Sequence, residues 1–252
     1  MGTMDVLLLG GTRLGRELAQ RLVDDGVDAV TSLAGVTASR RALPGAVRVG
    51  GFGGVGGLER YLRDHEVKAL VNATHPFAAA ISRHAAVAAQ HLGLPLIRLQ
   101  APSWRALPWS VEWTWVPDHQ AAARAAASRP GSILLTVGRQ PVPYYLSPLA
   151  DRRVTARCID APDGPLPPGW TVLQEKGPFS AESEKSLLTG FDLLVSKDAG
   201  GSGPDSKLIA ARTLGTAVVM ISRPTSSAYG EEVATAEQAR DRLGRWLPGS
   251  TR

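Results

Sequence analysis

Short apolar runs alternate with helical patterns along most of the chain, and turn residues mark the joins. Residues 5–9 (DVLLL) form an apolar run that ends at Gly10-Gly11. The following stretch, LGRELAQRLVDDG, places Leu14, Leu18, Leu22 and Val23 at helical spacing before Gly26 stops the helix. The pattern then predicts strands over 28–33 and 46–49, a helix over 57–65 and a strand over 69–72. An alanine-rich helix over 77–92 and a strand over 94–99 complete the first part. Strands and helices that alternate in this way imply a parallel sheet wound by right-handed crossovers.

The alternation breaks at residues 101–117, which hold three prolines and four of the six tryptophans: Trp104, Trp109, Trp113 and Trp115. This segment reads as a linker plus a strand, with the domain boundary near Leu99. The second part resumes with helices over 119–127, 143–149, 181–189 and 206–214, and a terminal helix over 235–246. Its strands are expected over 132–137, 154–159, 171–175, 192–196 and 218–221. No short repeat is evident; what recurs is the α/β unit itself. The expected architecture is α/β, with two Rossmann-like lobes, residues 1–99 and 100–252, each built on a parallel sheet. Ligands of such sheets bind at the carboxyl ends of the strands.

Gly10-Gly11-Thr12-Arg13-Leu14-Gly15 follows the first strand and opens the first helix. Read as G-x-T-x-x-G, it is the dinucleotide fingerprint with Thr12 in place of the middle glycine. Gly10 permits the tight turn, Gly15 permits close helix–sheet packing, and the helix N-terminal amides face a pyrophosphate. A nucleotide-triphosphatase loop would need Lys-Ser/Thr after its last glycine, and Arg16-Glu17 stands there instead. NAD enzymes place an acid at the end of the second strand. Here the segment reads Thr31-Ser32-Leu33-Ala34-Gly35, then Val36-Thr37-Ala38-Ser39-Arg40-Arg41, without an acid. Arg13, Ser32 and Arg40 are therefore the expected partners of a 2′-phosphate, with Ala34 and Gly35 beside them, and the expected cofactor is NADPH.

Two more strand ends carry candidate chemistry. Asn72-Ala73-Thr74-His75-Pro76-Phe77 follows the fourth strand, next to the glycine turn. Thr74 is expected to cap the next helix with proline in its first turn. His75 is the candidate proton donor, as the histidine placed at a strand end. Ser196-Lys197-Asp198-Ala199-Gly200-Gly201-Ser202-Gly203 follows the strand over 192–196, and Lys207 begins the next helix. Glycines beside lysines at a helix N-terminus make an anion cradle. The chain has only five lysines, and two of them bracket this loop. Lys197, Lys207, Gly200 and Gly201 are thus the expected carboxylate binders.

Composition narrows the function further. A chain of 252 residues with 44% apolar and 20% charged residues is long enough for two ordinary domains and is not a disordered composition. No run of 18 apolar residues points to a membrane span, and MGTMDVLLLGGTRLG lacks the basic start of a signal peptide. The lone Cys158 allows no internal disulfide, so a cytoplasmic protein is expected. No tyrosine has a lysine four residues later, and neither G-x-S-x-G nor H-E-x-x-H occurs, so no metal is expected. The 28 basic and 23 acidic residues give +5, which suits an anionic ligand. Without a basic run or an arginine–aromatic stripe, nucleic acid is not expected.

Together the segments GGTRLGRELA, VRVGGFGG, VNATHPFAAAIS, PLIRLQAPSW, ILLTVGRQ and SKDAGGSGPDSKLIAARTLGTAVVMISRP resemble the precorrin-6A reductase family of cobalamin biosynthesis, in order and spacing over nearly the whole chain. The resemblance implies NADPH-dependent reduction of one macrocycle double bond, giving precorrin-6B, in an active-site cleft between two Rossmann-like lobes. Beside it, the residues themselves set further expectations: Gly53 of the GFGG segment as a cofactor contact, and a hydride site against Thr74–Phe77 and Gly138-Arg139-Gln140, which both follow strands, with Thr74 and His75 catalytic and Phe77, Arg139, Lys197, Asp198, Gly200, Gly201 and Lys207 as substrate contacts. Many members carry a hydroxyl residue before the paired glycines, where this chain has Asp198-Ala199. A tetrapyrrole polycarboxylate is the implied partner, and other enzymes of the pathway are candidate protein partners. Two other readings of the residues stay open at this point: a non-enzymatic NADP sensor, and an NADPH reductase of a smaller imine or enone.

Overall fold

The computed structural model describes residues 3–35, 43–225 and 229–247. In chain order the first elements are β1 (Val6–Leu9), α1 (Arg13–Asp24), β2 (Ala29–Leu33), β3 (Ala46–Val49), α2 (Val55–Asp64), β4 (Ala69–Asn72), α3 (Ala79–Leu92) and β5 (Leu96–Leu99). Next come β6 (Thr114–Val116), α4 (His119–Ala127), β7 (Ile133–Leu135), α5 (Pro143–Leu146), β8 (Val154–Cys158), β9 (Trp170–Gln174), α6 (Ala181–Leu188), β10 (Leu193–Lys197), α7 (Ser206–Leu214) and β11 (Ala217–Ile221). The last two are β12 (Glu231–Val233) and α8 (Ala236–Trp246).

Two units result: Met1–Pro102 with Pro224–Arg252, and Ser103–Arg223. The first holds the sheet β12-β5-β4-β1-β2-β3 and the second β6-β11-β10-β7-β8-β9. All strand pairs are parallel. The α/β expectation with two Rossmann-like parallel sheets is met. In both sheets the strand order reverses at the centre, between β1 and β4 and between β7 and β10, which are the switch points where ligands of open α/β sheets bind.

Burial follows from helices on both faces. Every residue of β1 is buried, as expected for a parallel strand covered on two sides. Val6 and Leu8 pack with Leu18 and Leu22 of α1 and Leu243 of α8. Leu7 and Leu9 face the opposite way, toward Leu58 and Leu62 of α2 and the alanines of α3. The two-residue period of the strand thus meets two helical layers. In the second unit, Leu134, Leu194 and Met220 pack with Leu188 of α6 and Leu208 of α7.

The structure corrects three expectations. Residues 100–252 do not form one lobe: β12 pairs with β5 through Glu231↔Ile97 and Val233↔Leu99, and α8 packs on the α1 layer. The cause is apolar. Val233, Ala236, Ala239 and Leu243 complete the core cluster of the first unit. The first unit therefore takes its outermost strand, β12, from beyond the second unit in sequence, while β6, the strand next after β5, pairs with β11 in the second unit. Residues 101–117 are not a linker either. Trp104 and Trp113 are buried in the core of the second unit, and two short 3-10 helices, Trp104–Ala106 and Pro108–Glu112, present them. Lastly, Thr74 is not a helix cap. Helix α3 starts at Ala79, and no side chain caps it.

Candidate functional site

In the first unit the candidate residues converge at the switch point. Leu9 and Asn72 are register partners, so the turn after β1 and the loop after β4 leave the sheet side by side. Gly10 N–H donates to Ser32 O at 2.9 Å, and a Cβ on Gly10 would lie 2.8 Å from Thr31 Cγ2. Gly11 has φ +129°, a conformation side chains rarely adopt. Thr12 caps α1: its Oγ1 accepts from Gly15 N–H at 3.1 Å and donates to Ala73 O at 2.8 Å. The residue in the middle-glycine position thus locks the turn to the end of β4. Gly15 explains itself by distance, since an added Cβ would sit 3.1 Å from Ala73 Cβ.

The first helical bond of α1 is Arg16 N–H to Thr12 O, at 3.2 Å. The amides of Arg13 and Leu14 precede it at the head of the helix, where backbone N–H groups and the dipole favour an anion. These features fit a dinucleotide pyrophosphate. Arg13 is largely exposed and pairs with Glu17 at 3.4 Å. Ser32 is buried and accepts from Arg48 Nη1 at 3.2 Å. Ala34 and Gly35 are exposed at the end of β2, and Arg40 lies outside the described residues. Gly53 has φ +76° in the loop between β3 and α2.

Thr74 donates its hydroxyl to Asn72 Oδ1 at 2.7 Å, and its N–H reaches the same oxygen at 3.2 Å. Asn72 in turn donates to Ser82 Oγ at 3.0 Å. The hydroxyl expected to cap α3 is thus drawn back to the strand end. His75 Nδ1 accepts from Phe77 N–H at 3.2 Å, which leaves the neutral ring's proton on Nε2. Thr74 shapes the turn, His75 holds a donor, and the Phe77 ring lies 5.7 Å from the imidazole.

In the second unit the loop after β10 is built around Asp198, whose carboxylate, expected among the substrate contacts, is engaged within the unit. Its side chain is 2% exposed, accepting from Ser103 Oγ and from Trp104 N–H at 3.0 Å, with Arg223 Nε 3.4 Å away. A carboxylate so committed anchors the loop. Trp104 Nε1 donates to Gly203 O at 3.0 Å, and a Cβ on Gly201 would lie 2.8 Å from that same oxygen. Gly200 has φ +73°. Lys207 pairs with Asp205 and lies 5.5 Å over the Trp104 ring. Lys197 is half-buried, and its ammonium is pushed below the usual lysine range by burial and then by Lys207. At the end of β7, Arg139 is half-exposed and 3.8 Å from Asp163.

His75 is not alone in following a strand. His119 opens α4 directly after β6, and its Nδ1 lies 3.0 Å from the hydroxyl of the fully buried Tyr145. Burial, then the Lys197 charge, lowers its pKa to about 4 against the pull of Asp118. Burial pushes the Tyr145 phenol up. Among the described residues, no group of three or more His, Cys, Asp or Glu side chains converges as a metal site. No helix among them is long and apolar enough to cross a membrane.

Two parallel sheets that reverse order at a glycine turn and at a lysine-bearing loop define a Rossmann-like α/β protein. Residues 5–243 match the family model described as Precorrin-6x reductase CbiJ/CobK. The chain is 45% identical over 222 residues to a precorrin-6A reductase of Rhodococcus erythropolis, covering 87% of this chain and 89% of the relative. It is 39% identical over 246 residues to that of a Sinorhizobium species, covering 96% and 93%. A solved structure of a CobK precorrin-6A reductase superposes with a TM-score of 0.88 at 36% identity, over 99% of this chain and 100% of the other. The chain belongs to the precorrin-6x reductase family, oxidoreductases of cobalamin biosynthesis. A sensor without catalysis is not favoured.

Proposed function

We propose that this protein reduces one carbon–carbon double bond of the precorrin-6A macrocycle with NADPH, giving precorrin-6B, in the cytoplasm. The observation that carries the cofactor reading is the head of α1, where the glycine turn of Gly10 and Gly11 and the Thr12 cap bring the first backbone amides of the helix to the carboxyl edge of β1. Bound there, NADPH supplies the hydride. Gly10, Gly11, Thr12, Arg13, Leu14 and Gly15 hold the pyrophosphate end, and Ser32, Ala34, Gly35 and Gly53 border the adenosine end. Thr74 and Phe77 position the reacting end, and His75 holds a proton at Nε2.

The macrocycle carries acetate and propionate carboxylates, and these account for the basic balance of the chain. Lys197, Arg139 and the loop amides of Gly200 and Gly201 bind them. Lys207, already paired with Asp205, contributes less. The conjugated ring delocalises charge as the hydride adds, so the protein positions more than it protonates.

The test is NADPH oxidation by the purified protein with precorrin-6A, cobalt-precorrin-6A and a small cyclic enone in parallel. Turnover of precorrin-6A supports the reading; turnover of the enone alone sinks it, and a preference for the cobalt form redirects the substrate. His75→Ala should lower turnover by roughly 100-fold or more if the imidazole is the proton donor. Unchanged turnover would leave His75 as a turn-forming residue.

A further inference from the structure

The carboxyl edge of β2 lacks the acid that would take ribose hydroxyls, and a cation from the neighbouring strand stands beside it. Ser32 and Arg48 are register partners in the parallel β2–β3 pair. Arg48 Nη1 donates to Ser32 Oγ at 3.2 Å and to Gly50 O, and Nη2 donates to Gly51 O at 2.8 Å. The guanidinium lies 3.9 Å from the Phe52 ring centroid and 5.1 Å from that of Tyr61. Among the described residues these contacts use three of the five N–H donors of the fork and fix its plane, and the other two, on Nε and Nη2, are the donors an incoming phosphate would take.

We propose that Arg48, held by Ser32 and the Gly50 and Gly51 carbonyls, selects NADPH over NADH by binding the 2′-phosphate on the adenosine ribose. The inference rests on the cofactor reading above and names the residue that enforces it. Arg48 suits the task better than Arg13, whose charge is exposed and already paired with Glu17. A partly desolvated, pre-oriented guanidinium discriminates a phosphate dianion from a hydroxyl more strongly than a mobile surface charge. The positive φ at Gly50 and Gly53 lets the backbone turn closely around the fork and the Phe52 ring.

The experiment is calorimetric titration of the full-length protein with 2′,5′-ADP and with 5′-ADP, which differ in the phosphate position and report binding without turnover. Wild type should favour 2′,5′-ADP. Arg48→Ala should weaken 2′,5′-ADP by roughly 10- to 150-fold while changing 5′-ADP little. Ser32→Asp, which draws the guanidinium into an ion pair and opposes the phosphate, should bring the two ligands level or reverse them. It also keeps the test decisive if Arg48→Ala disturbs the β3–α2 turn. If both variants keep the wild-type preference, Arg48 is a structural tie and the proposal is overturned. If wild type itself binds the two ligands equally, the NADPH reading falls, and this inference with it.

Discussion

At the centre of the first sheet β1 lies beside β4, and in the second sheet β7 and β10 hold the same two places. After β1 the chain turns through glycines into α1, a helix of 12 residues capped by Thr12. After β7 it passes Gly138-Arg139-Gln140 into α5, a helix of four residues without a side-chain cap. So short a helix brings little dipole, and an anion at that edge must be met by side chains. The second unit accordingly ends β10 on Lys197 and follows it with the glycines at 200 and 201. In the proposed function one strand order thus carries two anion sites of different physics, chiefly backbone amides in one and chiefly ammonium charge in the other. The fold supplies the edge, and the loops supply the chemistry.

The largest expected effect concerns the cores. The second unit buries an ion pair, Arg157 Nη2 to Glu184 Oε1 at 2.9 Å, tying β8 to α6. Glu184→Ala leaves Arg157 buried and unpaired, which should cost about 3–5 kcal/mol in denaturant unfolding. Below the transition, affinity for 2′,5′-ADP should stay at the wild-type value. A loss of that affinity would break the division between the units.

Glycine substitutions sharpen the contrast. Gly10→Val drives a side chain into Thr31. It should cost about 1–3 kcal/mol of stability and at least about tenfold in dinucleotide affinity, since the turn shapes the amide site. Gly201→Ala, crowding Gly203 O, should instead weaken the macrocycle. Titrating both ligands against both variants gives a two-by-two result, and crossed effects would reverse the assignment.

Lys197→Ala should cost about 1.5–3 kcal/mol of macrocycle binding, and Lys207→Ala less than about 1 kcal/mol. The loss should appear in KM rather than kcat, because remote carboxylates bind ground and transition states alike. The salt dependence of KM should be shallower in Lys197→Ala. Because the Lys197 pKa is depressed, macrocycle affinity should decline with rising pH sooner than for an ordinary lysine, and that decline should vanish in the variant.

The last effect, on stability against pH, belongs to His119. Its folded pKa of about 4 lies below the ordinary ~6.5, so the unfolded chain binds the extra proton in that window. Stability contributed by the neutral ring is present above ~6.5 and is lost as pH falls toward ~4, by about 1–2 kcal/mol for a partly exposed ring. His119→Gln should flatten that part of the stability–pH curve.

The sheet of the first unit was readable because β1, the glycine turn and α1 agree in period, turn chemistry and capping. The lysine loop stood out in the sequence because lysine is sparse in this chain. Arg48 was not, since an arginine in the alternating run Ala46-Val47-Arg48-Val49 looks like an outward-facing strand residue; only the register with Ser32 reveals its place. Thr74 misled because a threonine before proline signals a cap, and Asn72 captured its hydroxyl instead. Asp198 reads as a loop acid until Ser103, distant in sequence, is seen to bond it. Glu231-Glu232-Val233 has one buried residue and no alternation, so nothing local marks it as a strand or says which sheet it joins.

That exchanged edge strand bears on how the protein is made. The ribosome delivers the chain from its N-terminus, and domains generally fold as units once complete. The unit spanning Ser103–Arg223 is contiguous and can close as soon as it emerges. The one that begins first must hold β5 unpaired on its outer side and α1 without α8 until residues 231–246 are synthesised. Birth order and folding order are therefore inverted: the half with the earliest residues is the last to be finished.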